Sequence, residues 1–486
     1  MDKEIELSLI KRRSVEGIAS LLLRMVFLQL VVLVASIFVS RFLTPFAFGV
    51  YGMVANFVLL FAFFSDIGLA AALVQKKEKI TREDLTTTFT IQQFLVGVLV
   101  VFVILILPLA QRFFGFGEDG LWLGRVLAFS LLLASLKSIP SVLLERQLKF
   151  NLLVVPEIIE TLIFNFTLVY LAWQGWGIKS FTWAVLLRGI SGLLAIYLLS
   201  PWRPGLGLDK GVAKRLLRFG LPFQANTIIA WFKDNLMDNV VAIILRSPVT
   251  FGYLSWARNL AFQPKKILDS VIRVSFPVYS RLQDQREILG RALSKTYFLL
   301  GVLMFPAMVG VCVLIKPLIL YLYGGEKWLP AIPAVWFLSM TLLWGVLNSV
   351  ATSALSAIGK IKTVLKFMVM VTVATWILTP IFTLRWGFNG AAFSWVLAGF
   401  TSLWSINQCL KEVKVNFAKD MGGALLASLV MGIIVWTLGH FWVSSLITLL
   451  AAVLAGVVIY GILIYWLEKE RLISELKSFL GKKLNL

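Results

Sequence analysis

The chain has 486 residues, of which 59% are hydrophobic and 15% are charged. A soluble domain carries about 25% charged residues, so this composition excludes a set of soluble domains and favours a protein built from membrane-spanning helices. The formal net charge is +21, but the cations cluster in short segments between apolar runs, which indicates membrane topology rather than nucleic-acid binding.

Apolar runs long enough to cross about 30 Å of hydrocarbon recur along the whole chain. We therefore predict an all-α polytopic membrane protein with about 14 transmembrane helices. In chain order, the predicted spans cover residues 18–43, 48–74, 85–109, 121–144, 152–175, 178–200, 216–245, 249–276, 292–316, 329–357, 361–384, 388–410, 419–440 and 443–467.

The basic residues fall mainly into alternate loops of this prediction. One set of loops contains clusters such as Lys76, Lys77 and Lys79, whereas the opposite loops are short and nearly uncharged. Because Lys and Arg concentrate on the cytoplasmic side of a membrane, we predict that both termini are cytoplasmic. The basic segment after the last span is expected to form an amphipathic helix on the cytoplasmic membrane surface.

Two short motifs recur in the same order in the two halves of the chain. Residues 44–49 (TPFAFG) are matched by residues 247–252 (SPVTFG), and the Trp-Gly pair at 176–177 is matched by the pair at 386–387. Such self-similarity is typical of transporters built from internal repeats. We therefore predict two six-helix repeats.

The repeats predict the domain organisation. Residues 1–205 would form an N-terminal lobe of spans 1–6, and residues 206–415 a C-terminal lobe of spans 7–12. Residues 416–467 would add spans 13 and 14, and residues 468–486 would be the basic cytoplasmic tail. A ligand site is expected between repeats of this kind.

Ionisable residues within the predicted spans concentrate in spans 7 and 8. Each costs about 2.5–3.5 kcal/mol to insert unless it has a partner or a water-filled cavity. Helical periodicity places most of them on one face of each span, and Pro264 interrupts span 8. We predict a charged cavity; the alternative is that the charges only pair with one another. The residues concerned are Asp234, Asp238, Arg258, Lys265, Asp269 and Arg273.

Other spans contain isolated charges. Arg188 lies in the middle of span 6, where it cannot easily reach the membrane surface, so we assign it to the cavity. Arg24 in span 1 is close enough to the cytoplasmic end that snorkelling is an equal alternative. Glu160 lies near the start of span 5, where a carboxylate stabilises a helix N-terminus. Lys137 is expected to snorkel to the cytoplasmic side.

The sequence offers few residues for metal, cofactor or nucleophilic chemistry. The single histidine, His440, lacks neighbouring ligand residues, and Cys312 and Cys409 both lie in apolar stretches. The phosphate-binding pattern of ATPases is absent. We therefore predict neither an enzyme nor a metal or cofactor site. A membrane glycan polymerase or ligase is an alternative of another class, but it would need a large external loop.

Several motifs along the chain resemble those of bacterial polysaccharide transporters, the O-antigen flippase group. The resemblance extends nearly from end to end, and the motifs that carry it are Arg41–Gly52 (RFLTPFAFGVYG), Asp66–Leu69 (DIGL), Glu145–Phe150 (ERQLKF), Trp202–Pro204 (WRP), Phe219–Pro222 (FGLP) and Phe276–Gln283 (FPVYSRLQ).

This resemblance implies membership of the multidrug/oligosaccharidyl-lipid/polysaccharide exporter superfamily, in which two six-helix lobes form a V around a central cavity. It implies a transporter that flips undecaprenyl-pyrophosphate-linked oligosaccharide across the bacterial inner membrane by alternating access. A polysaccharide polymerase is an expected partner, and a monomer the expected functional form. A multidrug antiporter of the same superfamily is the alternative, but an excess of cavity cations is unfavourable for the organic cations it would export.

The same resemblance gives the intramembrane charges their expected roles. A cationic cavity would hold phosphate groups by charge-assisted hydrogen bonds, and the candidates for these contacts are Arg24, Arg188, Arg258, Lys265 and Arg273. The carboxylates would shape the sugar site, respond to a coupling ion or hold the cations in place, and the candidates are Asp234, Asp238 and Asp269.

Overall fold

The computed structural model describes residues 27–484 except 66, 77 and 148, and it describes their side chains except those of 219, 221–235 and 475–484. Throughout this part of the chain the regular structure is helical, and the described residues form no β-strand. The chain divides into two compact units, Met1–Asn239 and Val240–Leu486. The division falls inside one long helix, and the predicted domain boundaries remain predictions.

The described part of the first unit contains eight helices and most of a ninth. Two of them, α3 and α6, are too short to cross a membrane. The helices are α1 (Phe27–Phe42), α2 (Pro45–Ala62), α3 (Leu69–Gln75), α4 (Arg82–Phe114), α5 (Gly117–Leu136), α6 (Ser138–Arg146), α7 (Phe150–Trp173), α8 (Ile178–Leu199) and α9 (Lys210–Leu245).

The second unit continues from the end of α9. A π-helical turn, Leu318–Leu322, follows its third helix, and a 3-10 segment, Glu326–Ala331, precedes the fourth. The helices are α10 (Pro248–Ala261), α11 (Lys265–Arg281), α12 (Arg286–Pro317), α13 (Ile332–Ala357), α14 (Ile361–Gly399), α15 (Ser402–Glu412), α16 (Phe417–Phe441) and α17 (Leu446–Leu484).

Within the described residues, ten helical stretches are long and apolar enough to cross a membrane, so the chain is a multi-pass membrane protein. Most of the predicted spans coincide with these stretches. The predicted span 249–276 does not, because the helix breaks at residues 262–264 into α10 and α11. Pro264 lacks the backbone N–H needed to continue α10, as the sequence indicated. The total of 14 spans remains a prediction.

The matching sequence motifs adopt matching backbone conformations. Gly177 precedes α8 with φ 56° and ψ −128°, and Gly387 interrupts α14 with φ 59° and ψ −142°. These left-handed conformations favour glycine because they crowd a side chain. Thr44 and Ser247, in the other motif pair, each occupy an extended N-cap position before a proline that opens a helix.

Two glycines of the family-like motifs lie against each other in the first unit. A Cβ atom built on Gly68 would lie 2.6 Å from the carbonyl oxygen of Gly220, and one built on Gly220 would lie 2.5 Å from the carbonyl oxygen of Ile67. No side chain fits in that space. The contact therefore explains why both motifs contain glycine, and it ties α9 to the connection between α2 and α3.

Helix packing determines which side chains are buried in each unit. In the first unit, α8 packs against α7 and α5, and α4 packs against α5. In the second unit, α12 packs against α16, and α13 packs against α14. Many apolar residues on the outer surfaces remain exposed, including Leu105, Leu198 and Ile433, as expected for helices that face lipid.

Candidate functional site

A three-residue charged cluster lies between the apolar helices of the first unit. Glu160, in the middle of α7, accepts a short hydrogen bond from Nζ of Lys137, which follows the end of α5. Its other carboxylate oxygen lies 3.4 Å from Nε of Arg188 on α8. The three side chains therefore connect three helices through one carboxylate.

The packing of α8 on α7 creates the space for this carboxylate. A Cβ atom on Gly192, one turn after Arg188, would lie 1.8 Å from Oε1 of Glu160. Only glycine can occupy that position while Glu160 keeps its place. The guanidinium carbon of Arg188 also lies 5.8 Å from the centre of the Phe164 ring, within the range of a cation–π contact.

The cluster has an excess of positive charge on its accessible side. The side chain of Glu160 is 13% exposed, whereas that of Arg188 is 53% exposed. In the described part of the chain, Arg188 contacts Glu160 only through Nε, so both terminal nitrogens can bind another group. An arginine held in this way is suited to an anion, and above all to a phosphate.

A second group of charges lies on α11 in the second unit. Lys265 and Asp269, one turn apart, pair at 3.3 Å, and their side chains remain 53% and 54% exposed. Arg273, another turn along, is also exposed. Lys265 and Asp269 therefore form the pair that was the alternative to a cavity, and these three predicted site residues form one stripe on an exposed helix face. Their assignment to a cavity remains a prediction.

Arg258 lies on the other side of the helix break, near the end of α10. Its guanidinium carbon is 5.5 Å from the ring centre of Trp395 on α14. The ring of Phe262 stacks on the same indole with centres 6.4 Å apart. Arg258 is half-buried, so a cation–π contact compensates part of the cost of removing its charge from water.

The remaining predicted site residues are placed differently or lie outside the description. Asp238 is half-buried on α9, where Nδ2 of Asn56 lies 3.5 Å from one of its carboxylate oxygens. Next to it, Asn239 donates to the carbonyl oxygen of Asn56 at 3.3 Å. Asp238 therefore helps to attach α9 to α2. Arg24 and the side chain of Asp234 lie outside the described residues.

Two expectations about the first unit were wrong. Glu160 is not at a helix N-terminus, because α7 begins at Phe150 and places Glu160 in its middle. Lys137 does not snorkel to the membrane surface, because Glu160 holds its ammonium group. Opposite charges in two consecutive predicted spans were the signal in the sequence that these residues form an ion pair.

Other buried carboxylates serve the ends of helices. Asp84 forms a capping box with Thr81 at the start of α4 and pairs with Arg215 of α9 at 3.0 Å. Asp420, in the first turn of α16, pairs with Arg471 of α17 at 2.9 Å. In the described residues, no group of three or more His, Cys, Asp and Glu side chains is placed to hold a metal ion.

Comparison with known sequences identifies similar bacterial proteins. The family described as "Polysaccharide biosynthesis protein" matches residues 37–333. The chain is 28% identical over 416 residues to an uncharacterized membrane protein in the cps region of Klebsiella pneumoniae, covering 81% of this chain and 80% of that protein. It is also 28% identical over 349 residues to the lipopolysaccharide biosynthesis protein WzxC of Escherichia coli K12, covering 68% of each.

Comparison with solved structures identifies a similar fold. The lipid II flippase MurJ, in an inward closed conformation, superposes with a TM-score of 0.75 over 93% of this chain and 99% of that chain. The two sequences are 19% identical. The similarity therefore concerns the arrangement of helices.

Proposed function

Because this chain belongs to the polysaccharide biosynthesis protein family, we propose that it is a secondary transporter of lipid-linked oligosaccharides. Its substrate would be an undecaprenyl-pyrophosphate-linked oligosaccharide, a precursor of O-antigen, capsule or exopolysaccharide. The protein would move the headgroup from the cytoplasmic to the outer leaflet by alternating access. The name of the E. coli relative and the flippase fold support this proposal.

The chemistry of such a substrate requires a polar, cationic path. A sugar chain and a pyrophosphate cannot enter hydrocarbon without losing the hydrogen bonds that they make with water. The transporter must therefore supply hydrogen-bond donors and positive charge where the headgroup crosses, while the lipid tail stays in the bilayer. Arginine suits the phosphates because its planar guanidinium can donate two parallel hydrogen bonds.

The observation that carries the proposal is the pairing of Arg188 with Glu160. A half-exposed guanidinium lies in the middle of an apolar membrane helix, and a mostly buried carboxylate holds it there. This arrangement is expensive in a lipid-facing position, so it favours a wet, anion-binding surface. On α11, the exposed stripe that includes Asp269 adds two accessible cations, Lys265 and Arg273.

The finer architecture belongs to the same proposal. We propose 14 spans, with two six-helix repeats at residues 1–205 and 206–415 followed by two additional spans. The matching conformations of Gly177 and Gly387 support the repeat. Both termini would lie in the cytoplasm of a bacterium, with the protein in the inner membrane. We propose that a monomer suffices for transport and that a polysaccharide polymerase receives the product.

A reconstituted transport assay tests this function. The purified full chain would be placed in liposomes with a fluorescent undecaprenyl-pyrophosphate-linked oligosaccharide, and the exposure of the headgroup on the opposite leaflet would be followed. We expect Arg188→Ala to reduce the rate about tenfold or more, because a charge-assisted contact is lost. The double variant Arg258→Ala with Lys265→Ala tests the second unit in the same way.

A matched control removes the same charge outside the cluster. Lys179 lies at the start of α8 and is 60% exposed, 3.9 Å from Asp119, so Lys179→Ala should retain the wild-type rate within about twofold. If every site variant transports at the wild-type rate, the proposed function stands but the substrate binds elsewhere in the protein. Failure to move several lipid-linked oligosaccharides, together with export of organic cations, would replace this proposal with a multidrug antiporter.

A further inference from the structure

A basic cleft lies in the second unit, where α12 and α16 begin. It is an open cleft of about 870 Å³ between the start of α12 and the end of α15 with the segment that connects α15 to α16. This segment lies directly against α12, because a Cβ atom on Gly290 would be 2.8 Å from the carbonyl oxygen of Lys414. The two sides of the cleft are therefore joined by a tight contact between main chains.

The charges that line the cleft are unequal. Four cations, Arg286, Arg291, Lys411 and Lys414, face two carboxylates, Glu287 and Glu412. Both carboxylates are already paired. Glu412 lies 3.1 Å from Lys360 and 3.9 Å from Arg286, and Glu287 lies 3.6 Å from Arg291.

The two lysines of the cleft provide the surplus charge. Lys411 at the end of α15 and Lys414 in the following segment are both exposed. Within the described residues, neither lysine lies within 4 Å of a carboxylate oxygen. Each ammonium group therefore retains three donors, and together they can bind a compact anion of the size of a phosphate group.

The position of the cleft points to a lipid. Helices α12 and α16 are both long and apolar enough to cross a membrane, and both begin at the cleft, so we place its mouth at the membrane surface. The exposed Leu410 and the partly buried Val415 add apolar surface beside the lysines. A ligand with a phosphate headgroup and an attached acyl chain matches both kinds of lining.

We propose that this cleft binds the phosphate headgroup of an anionic phospholipid, with Lys411 and Lys414 as its main donors. The site goes beyond the proposed transport function, since the lipid would be a resident of the membrane and not cargo. The base of the cleft is braced, because Ser294, which lines it, donates to the carboxylate of Asp420 that Arg471 of α17 also contacts.

Native mass spectrometry of the full chain in detergent, titrated with phosphatidylglycerol, tests the proposal. We expect Lys411→Gln with Lys414→Gln to weaken binding about tenfold. The control, Lys210→Gln with Lys214→Gln, removes the same charge from exposed positions on α9 and should change binding less than about twofold. Phosphatidylcholine, which has equivalent tails and no net charge, should bind the wild type at least about tenfold more weakly than phosphatidylglycerol.

Three results would overturn the site. Equal losses in the two double variants would mean that binding follows overall charge. Equal binding of both phospholipids would mean that the acyl tails, and not the charge of the headgroup, determine the affinity. Displacement of phosphatidylglycerol by glycerol phosphate at equal concentration would assign the cleft to a soluble phosphate compound. Since the readout is binding, a failure here leaves the transport assay unaffected, and a failure of transport leaves this site intact.

Discussion

One carboxylate oxygen of Glu160 lies 3.4 Å from Nε of Arg188, and the other binds the ammonium group of Lys137. A single carboxylate in the middle of α7 thus balances two cations from neighbouring helices. Both Lys137 and Glu160 are largely withdrawn from water, so Lys137 depends on this carboxylate for its stability, whereas Arg188 remains half-exposed. The cluster is both a structural junction and the support of the proposed anion contact.

Replacement of Glu160 by glutamine should therefore destabilise the protein and impair transport. We expect the free energy of unfolding to fall by about 1–3 kcal/mol, because the mostly buried ammonium group of Lys137 loses its counter-ion. Unfolding of the detergent-solubilised protein measures the change. The exposed Glu145 on α6 provides the control, and a Glu145→Gln variant that unfolds as easily as Glu160→Gln would contradict the prediction.

Gly192→Ala should act on the same cluster without changing any charge. The new methyl group would overlap Oε1 of Glu160, at a distance of 1.8 Å in the present arrangement, and would push the carboxylate away from Arg188. We expect a loss of about 1–3 kcal/mol in stability and slower transport. Gly97→Ala is the matched control, since that helical position has no atom within 4 Å and should be neutral or slightly stabilising.

The sequence predicts some features of the site well because they are local. Lys265 and Asp269 are one helical turn apart, so their pairing follows from the period of the α-helix. The break before α11 follows from Pro264, whose ring replaces a backbone donor. The intramembrane position of Arg188 follows from the length of the apolar run around it.

Other features depend on how helices pack and were not predictable from one helix at a time. The environment of Glu160 is set by Gly192 on the neighbouring helix. The spacing of residues along α7 alone does not predict that contact. Asp238 was assigned to a cavity from its helical face, and that periodicity could not identify its contact with Asn56 of α2. Long-range partners of this kind require the arrangement of α2, α7, α8 and α9 to be known.

The two Trp-Gly motifs should respond alike to substitution. Gly177 and Gly387 both have positive φ, and a Cβ atom at either position would meet nothing within 4 Å. An alanine there would cost about 1–2 kcal/mol through the backbone alone. We expect Gly177→Ala and Gly387→Ala to lower the unfolding temperature similarly. Alanine variants as stable as the wild type would contradict this account of the motif.

Arg471 should control the attachment of the basic helical segment after the kink at Glu468. It donates to Asp420 at 2.9 Å and to the carbonyl oxygens of Ser294 and Lys419 at 3.1 and 3.2 Å. Its guanidinium carbon also lies 4.3 Å from the ring centre of Phe298. These contacts hold the segment to the start of α12 and α16.

Arg471→Gln would leave the carboxylate of Asp420, which is 3% exposed, without its cation. We expect faster hydrogen–deuterium exchange in residues 469–474 and earlier proteolytic removal of the C-terminal segment, because the local opening energy falls by about 3 kcal/mol. Lys469→Gln removes the same charge two residues earlier, from a side chain whose ammonium group lies 5.8 Å from the ring of Tyr465. That control should exchange nearly as slowly as the wild type. Equal acceleration in the two variants would show that the segment is held by its overall charge and not by the Arg471–Asp420 pair.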